Sequence, residues 1–182
     1  MGQSVSVAAF REALAHFASG VTVVAATGSS GPAGFTATGF TSVSIVPPLI
    51  LVCVSRDASA HETIVRATHF GVSILEERQA WVARQFARRN VDRFAGVGLL
   101  RGAVGPVPLV EEALAHIECR AYARHEGGDH TIVVGEVLEA SVRAGRPLLH
   151  FARRFGAFLG ELPLREGERA FAAESKKSGR DE

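Results

Sequence analysis

Hydroxyl side chains are concentrated in two short segments of the first third of the chain. Residues 34–45 alternate between apolar and hydroxyl side chains, and residues 55–63 span the junction between an apolar strand and a helix start. Hydroxyl groups beside the free N–H groups and positive dipole of a helix N-terminus can bind a phosphate. A simpler interpretation also fits, in which Ser59 only caps its own helix and the threonines are strand formers facing solvent. The residues concerned are Thr36, Thr38, Thr41, Ser42, Ser44, Ser55, Ser59 and Thr63.

A second candidate is His130, which directly follows Gly127-Gly128-Asp129 and opens a strand. A histidine in this position can project from the end of a sheet and contact a ligand, or it can be an ordinary surface residue. Other familiar signatures fail. Gly96-Val-Gly-Leu-Leu-Arg101 has Arg where a dinucleotide fingerprint requires its third glycine, and His61-Glu62 is followed by Val65 rather than by a second zinc ligand. The sequence also lacks a Gly-x-Ser-x-Gly elbow and a phosphate loop ending in Gly-Lys-Ser/Thr.

Composition narrows the class of protein. The 182 residues are 47% hydrophobic and 21% charged, with a net charge of +1, which predicts one folded domain without affinity for nucleic acid or a membrane surface. The absence of a signal peptide or long uncharged apolar run predicts a cytoplasmic protein. Cys53 and Cys119 lie far apart in apolar segments and outside any Cys-x-x-Cys spacing, so free thiols and no metal site are expected.

The elements that must position these residues are mostly strands. We predict helices over residues 7–18 and 77–89 and a short helix starting after Ser59, where Ser59-Ala-His-Glu62 matches a capping box. Strands are predicted over residues 21–26, 49–54 and 69–75, and a hairpin over 115–123 and 132–142. Residues 96–108 are predicted to be a loop with short extended pieces, and 147–159 a last strand or turn. The pattern indicates a mainly β protein, a barrel with peripheral helices, because a doubly wound sheet needs regular strand–helix alternation. The domain is expected to span residues 1–164, followed by a charged, partly disordered tail at 165–182.

Six motifs, in this order and spacing, resemble the flavin reductase domain family, the reductase components of two-component flavin monooxygenases. The motifs are Phe17-Ala-Ser-Gly-Val-Thr-Val-Val24, Gly34-Phe-Thr-Ala-Thr-Gly-Phe-Thr-Ser-Val-Ser44, Pro47-Pro-Leu-Ile-Leu-Val-Cys-Val-Ser55, His69-Phe-Gly-Val-Ser-Ile-Leu75, Asp92-Arg-Phe94, and Gly128-Asp-His130 with Val134-Gly-Glu-Val137. The likeness covers nearly the whole chain, from about Phe10 to Leu159. It implies an FMN-binding split β-barrel and a homodimer that binds FMN or FAD and uses NADH or NADPH.

The resemblance also implies roles for particular residues. The segment Thr36, Ala37 and Thr38, with Ser42, is expected at the flavin ring and ribityl chain. The segment Val52, Cys53, Val54, Ser55 and Ser59, with His61 and Thr63, is expected at the ribityl-phosphate end, and Phe94 among the cofactor contacts. His130 is expected at the face shared by nicotinamide and flavin, and His150, Arg153 and Phe155 in the segment that places the nicotinamide. Relatives often have Tyr and Gly-Arg-Tyr in that last segment, so the choice between NADH and NADPH stays open.

The function implied is an NAD(P)H:flavin oxidoreductase that supplies reduced flavin to a separate monooxygenase. Hydride transfer is the chemistry of the two nucleotides, so a protein that only aligns them needs few catalytic side chains. The lack of an acid–base constellation therefore does not oppose this class. The alternative is a flavin- or haem-binding split-barrel protein without reductase turnover, acting as a carrier or sensor.

Overall fold

The computed structural model describes residues 5–158 and residue 160. About half of these residues form antiparallel strands, and three short helices accompany them. The helices are α1 (Val7–Ala15), α2 (His61–Arg66) and α3 (Ala80–Ala87), and a 3₁₀ turn at Glu77–Gln79 leads into α3. The strands are β1 (Ser19–Gly20), β2 (Thr22–Gly28), β3 (Gly31–Ala37), β4 (Phe40–Ser44), β5 (Leu49–Ser55), β6 (His69–Ile74), β7 (Leu99–Arg101), β8 (Pro108–Val110), β9 (Ala115–Gly127), β10 (His130–Val142), β11 (Leu148–Phe151) and β12 (Arg154–Ala157).

The main sheet has seven strands in the order β3-β2-β6-β9-β10-β5-β4. Its two ends meet, since Phe35 of β3 and Val52 of β5 belong to the same buried cluster. The sheet therefore wraps around one core, as expected of the predicted barrel. Two smaller units flank it, the sheet β1-β11-β12 and the hairpin β7-β8.

Two apolar clusters stabilise this arrangement. The first fills the inside of the main sheet and contains Phe70 and Ile64, both without solvent exposure. The second lies under α3, where Phe86 and Val82 pack against Leu148 of β11. Burial of apolar side chains is the main driving force for folding, and here it fixes α3 and the β11-β12 hairpin against the barrel.

Several element bounds differ from those expected. The first helix ends at Ala15 rather than near residue 18, because Ser19–Gly20 pair with β11 as strand β1. The predicted helix over 77–89 divides into the 3₁₀ turn and α3. The long hairpin is confirmed, with β10 starting two residues earlier, at His130. Residues 96–108 contain β7 and the start of β8, in line with the predicted short extended pieces.

Glu118 of β9 is buried although its side chain points away from the core, where its neighbour Cys119 lies. Its register partner is Gly71, where an added Cβ would contact Leu109 and Val107, so β8 and the loop before it cover this outer face of the sheet. The Glu118 carboxylate accepts hydrogen bonds from the N–H groups of Ala103 and Val104, at 2.9 and 3.0 Å. It therefore holds the loop before β8 onto the barrel.

Helix α1 differs from the others because none of its residues is buried. Phe10 and Leu14 are both more than half exposed, and Phe17, just beyond the helix, is 73% exposed. Within the described residues, these apolar side chains therefore lie mainly on the surface.

Among the described residues, no helix is both long and apolar enough to cross a membrane. Cys53 and Cys119 are free thiols, as predicted. The proposed domain end at residue 164 and the tail at 165–182 lie outside the described residues.

Candidate functional site

The pairing of β5 with β10 brings two predicted site residues together. Ser55 is the register partner of His130, and Cys53 is the partner of Ile132. Partner residues in an antiparallel pair point to the same side of the sheet, and side chains alternate along each strand. Ser55, Cys53 and His130 therefore share the outer face of these strands, which we call the β5–β10 face.

The alternate residues of β5, Val52 and Val54, point into the core and have no solvent exposure. They were predicted among the cofactor contacts. Because their side chains are fully enclosed by the barrel, only their backbone groups can take part in binding.

The turn between β3 and β4 lies against the same face. The N–H of Cys53 donates to the carbonyl of Gly39 at 2.9 Å. A Cβ atom on residue 39 would lie 3.1 Å from the Cβ of Cys53, so glycine permits this close approach. Thr38, the neighbour of Gly39, is exposed next to this face. Ser42 is exposed on the adjoining strand β4, but its register partner is the core-facing Ile50, so its side chain points to the other side of the sheet. The β3–β4 turn, the end of β5 and the start of β10 therefore meet at the β5–β10 face.

Thr36 and Ala37 are engaged elsewhere. The Thr36 hydroxyl donates to the carbonyl of Ala83 in α3 at 2.6 Å. Ala37 is buried, and its carbonyl accepts a hydrogen bond from the Thr22 hydroxyl at 3.0 Å. These contacts hold the end of β3 in place. The Thr36 hydroxyl is already hydrogen-bonded and the Ala37 side chain is buried, so neither side chain faces a ligand.

The predicted capping box at Ser59 is wrong. Helix α2 begins at His61 with Ala60 as its N-cap residue, in a helical backbone conformation and without a side-chain cap bond. Ser59 belongs to the preceding turn, where the N–H of His61 donates to the carbonyl of Ala58. Glu62 pairs with Arg66 at 3.0 Å instead of reaching back to the cap. The phosphate site expected from a helix N-terminus at Ser59 therefore has no support from α2.

His61 and Thr63, the other two residues predicted near the ribityl-phosphate end, point in different directions from helix α2. Nε2 of His61 lies 2.9 Å from Oγ1 of Thr131, on β10 next to His130. Thr63 faces the opposite way, toward the β2-β3 hairpin, where a Cβ on Gly28 would lie 3.0 Å from its methyl group. Thr131 is the register partner of the core-facing Val54, so His61 contacts β10 on the side opposite the β5–β10 face, and Thr63 also lies away from that face.

Ser59 instead lines a small pocket with Gly34, Arg93 and Phe94. The Arg93 guanidinium donates to the carbonyls of Gly34 and Arg88, at 2.9 Å each. Burial, with a smaller contribution from the charge of Arg89, lowers the pKa of Arg93. Phe94 contacts Phe86 edge to face at 5.0 Å between ring centroids. Arg93 was not among the predicted site residues, although the motif Asp92-Arg-Phe94 marked its position.

His130 is held by its neighbour in sequence. Its Nδ1 lies 2.7 Å from Oδ1 of Asp129, and its side chain is 41% exposed. The hydrogen bond and charge of His130 lower the pKa of Asp129, and the charge of Arg11 in α1 contributes to the same effect. The carbonyl of Asp129 accepts a hydrogen bond from the N–H of Arg56 at 2.9 Å, which ties this turn to the end of β5.

The remaining predicted residues lie on the β11-β12 hairpin. His150 and Phe155 are register partners with ring centroids 5.7 Å apart, and the Arg84 guanidinium lies 5.3 Å from the Phe155 ring. Arg153 pairs with Glu12 of α1 at 2.7 Å. The charge of Arg11, in the same helix, acts on Asp129 beside His130.

A β-barrel with hydroxyl groups and a histidine on one outer face defines a class of protein that can bind a nucleotide on the surface of the sheet. The model of the Flavin reductase like domain family matches residues 14–158. The chain therefore belongs to this family. The resemblance noted in the sequence is confirmed, and with it the split-barrel fold and the prediction of a flavin reductase.

Several known proteins are similar in sequence to this chain over most of its length and of their own. The reductase component of a 4-nitrophenol 4-monooxygenase/4-nitrocatechol 2-monooxygenase of Rhodococcus opacus is 41% identical over 157 residues, which is 86% of this chain and 84% of the relative. An NADH-dependent FMN reductase of Agrobacterium fabrum is 43% identical over 149 residues, covering 82% of this chain and 84% of the relative. The solved structure of an NADH:FAD oxidoreductase of Streptomyces globisporus C-1027 with NAD and FAD fragments is 40% identical, with a TM-score of 0.82, and the match covers 89% of this chain and 100% of that one.

Proposed function

We propose that this chain is an NADH-dependent flavin reductase that passes a hydride to FMN or FAD and releases the reduced flavin to a separate monooxygenase. The observation that carries the proposal is the β5–β10 face. There the register places Ser55 and Cys53 beside His130, and Gly39 brings Thr38 against Cys53. The names of the relatives support the choice of substrates, since they include NADH-dependent reductases of FMN and of FAD and a monooxygenase reductase component.

The flavin ring and ribityl chain are assigned to the β5–β10 face. Thr38 and Ser55 offer exposed or half-exposed hydroxyl groups there, and Ser42 remains a proposed contact through the edge strand β4. Backbone groups of the buried positions Val52 and Val54 complete the contacts, since backbone N–H groups can stabilise negative charge on a reduced ring. The phosphate end is assigned to the pocket beside Ser59, where the cationic Arg93 supplies the opposite charge.

The nicotinamide nucleotide is assigned to the space between His130 and the β11-β12 hairpin. Helix α1 interacts with both parts, since the charge of Arg11 acts on Asp129 and Glu12 pairs with Arg153. Hydride transfer between the nucleotides needs alignment rather than an acid or base from the protein. His130 serves to orient the nicotinamide, and His150 and Phe155 provide a ring surface beside it.

We also propose a homodimer. A second copy would cover the apolar face of α1, whose residues Phe10 and Leu14 are more than half exposed in one chain. Exposed apolar patches of this kind commonly mark protein–protein contacts. Light scattering at micromolar concentration is expected to give twice the chain mass of 19.3 kDa. A single species at the chain mass would contradict the dimer.

The nicotinamide assignment is tested by His130→Ala, with His125→Ala as the matched control on the exposed end of the same hairpin. His130→Ala should raise the Michaelis constant for NADH or slow anaerobic flavin reduction in a single turnover, while the Kd for flavin stays nearly unchanged. His125→Ala should behave as the parent. If His130→Ala reduces flavin at the parent rate across all NADH concentrations, the nicotinamide site lies elsewhere. The alternative of a flavin or haem carrier or sensor would show binding without turnover, and none of these observations favours it.

A further inference from the structure

The backbone of His130 is fixed on both sides. It pairs with Ser55 of β5 and with Gly127 of β9. The carbonyl of the preceding Asp129 is bonded to the N–H of Arg56. Gly128, at φ +68°, takes the left-handed conformation that lets the chain turn so tightly here. The position of the Cα atom is therefore set, and the remaining freedom of His130 is the rotation and protonation of its ring.

Asp129 restricts that freedom. Among the described residues, the ring of His130 makes one side-chain hydrogen bond, from Nδ1 to Oδ1 of Asp129 at 2.7 Å. A carboxylate can only accept at this distance, so Nδ1 carries the hydrogen. In a neutral imidazole the other nitrogen, Nε2, is then an acceptor. The half-exposed ring leaves Nε2 open to a ligand.

We propose that Asp129 is a positioning residue that holds His130 in the Nδ1–H form and presents Nε2 to the carboxamide of the nicotinamide. The carboxamide N–H would donate to Nε2, which orients the nicotinamide ring over the β5–β10 face. This proposal rests on the proposed function. It assigns to Asp129 no contact with either nucleotide.

The surrounding charges make Asp129 the specific partner. Arg56, just after β5, and Glu126 of β9 pair with each other at 3.2 Å. The charge of Arg11 in α1 helps to lower the pKa of Asp129, and among the described residues Arg11 makes no hydrogen bond to the His130 ring. Asp129 is 93% exposed, and exposed ion pairs contribute little to stability, so removing this carboxylate should leave the fold intact.

The test compares Asp129→Asn with Glu126→Gln, a charge-matched change in the same hairpin. Protein labelled with ¹⁵N-histidine reports the tautomer of each ring, and His130→Gln identifies the His130 signals among those of the seven histidines. The parent and Glu126→Gln should show the Nδ1–H form in the neutral ring. Asp129→Asn should lose this preference.

Kinetics provide the second arm. Asp129→Asn should raise the Michaelis constant for NADH about tenfold with a smaller change in kcat, since misplacement of an orienting group can cost up to ~100-fold. The Kd for flavin should stay within about twofold. An unchanged tautomer in Asp129→Asn, or a changed tautomer with parent kinetics, would overturn the proposal. If the parent itself shows no NADH-dependent reduction, the proposed function fails instead, and the NMR comparison alone still decides whether Asp129 holds the ring.

Discussion

Gly135 occupies the tightest point of the barrel interior, and replacing it should destabilise the fold in a predictable way. It lies at a register shift of β10, where the strand passes over β9. A Cβ atom there would lie 2.5 Å from Cζ of Phe70 and 2.8 Å from Cβ of Cys119. Both neighbours are fully buried, and the Cys119 Cβ is fixed to its own backbone. Gly135→Ala must therefore push the Phe70 ring or separate the strands.

The magnitude follows from the packing. Inserting a methyl group into a close-packed core costs about 1–3 kcal/mol. The lower entropy of the unfolded alanine chain offsets about 0.4–1 kcal/mol of this. We expect a net loss of about 1–2 kcal/mol, which corresponds to a fall in Tm of about 2–8 °C for a chain of this size. Thermal unfolding followed by circular dichroism, at equal protein concentrations, measures it.

Two further variants make the test specific. Gly20→Ala is the control, because a Cβ there meets nothing within 4 Å, and its Tm should change little. Phe70→Leu removes the ring atoms that meet the new methyl group. The double variant Gly135→Ala, Phe70→Leu should then lose less stability than the sum of the two single changes, with a coupling of about 0.5–3 kcal/mol. Additive losses, or a Gly135→Ala protein as stable as Gly20→Ala, would refute this account of the core.

The remaining predictions concern thiols, the Ser59 pocket and the buried carboxylate. Burial, helped by the charge of Glu118, raises the pKa of Cys119 to about 12, so at pH 8 only about one thiol in 10⁴ is thiolate. Iodoacetamide should therefore label native protein at Cys53 before Cys119, and equal labelling by mass spectrometry would contradict this. Ser59→Ala should leave Tm nearly unchanged, because Ser59 caps no helix, but should weaken binding of FMN more than of riboflavin; equal weakening would exclude the phosphate role. Glu118→Ala should lower the free energy of unfolding in urea by about 2–4 kcal/mol, because two backbone N–H groups lose a charged acceptor. The exposed Glu126→Ala should lower it by less than about 0.5 kcal/mol. Equal urea midpoints for the two variants would refute the proposal that Glu118 holds the loop before β8 onto the barrel.

Much of the fold was predictable because its strands follow simple patterns. The continuous apolar run of residues 49–54 predicted strand β5, and the turn at residues 127–129 predicted the hairpin of β9 and β10. The failures come from interactions that local patterns cannot show. The Ser59 capping box satisfied the sequence rule, yet Glu62 had a competing partner one turn later in Arg66. The burial of Glu118 depends on the loop before β8, which covers the outer face of β9 and supplies two N–H groups that need an acceptor.

The candidate site was predictable only in part for the same reason. The proximity of Ser55 to His130 arises from strand register between residues far apart in the chain, which no local spacing encodes. The resemblance to known reductases nominated both residues, and the structure shows how they meet. It also shows that Thr36 and Thr63 direct their side chains elsewhere, toward α3 and the β2-β3 hairpin. A β-strand pattern predicts which residues alternate, but not which contacts their hydroxyl groups make.

The central claim, that the chain transfers a hydride from NADH to flavin, is tested most directly by mixing purified protein with NADH and FMN, and separately FAD, without oxygen. The account predicts rapid loss of the yellow flavin absorbance, at a rate that depends on the amount of protein, with one NADH consumed for each flavin reduced. Flavin that binds the protein but keeps its absorbance in the presence of excess NADH or NADPH would contradict the account.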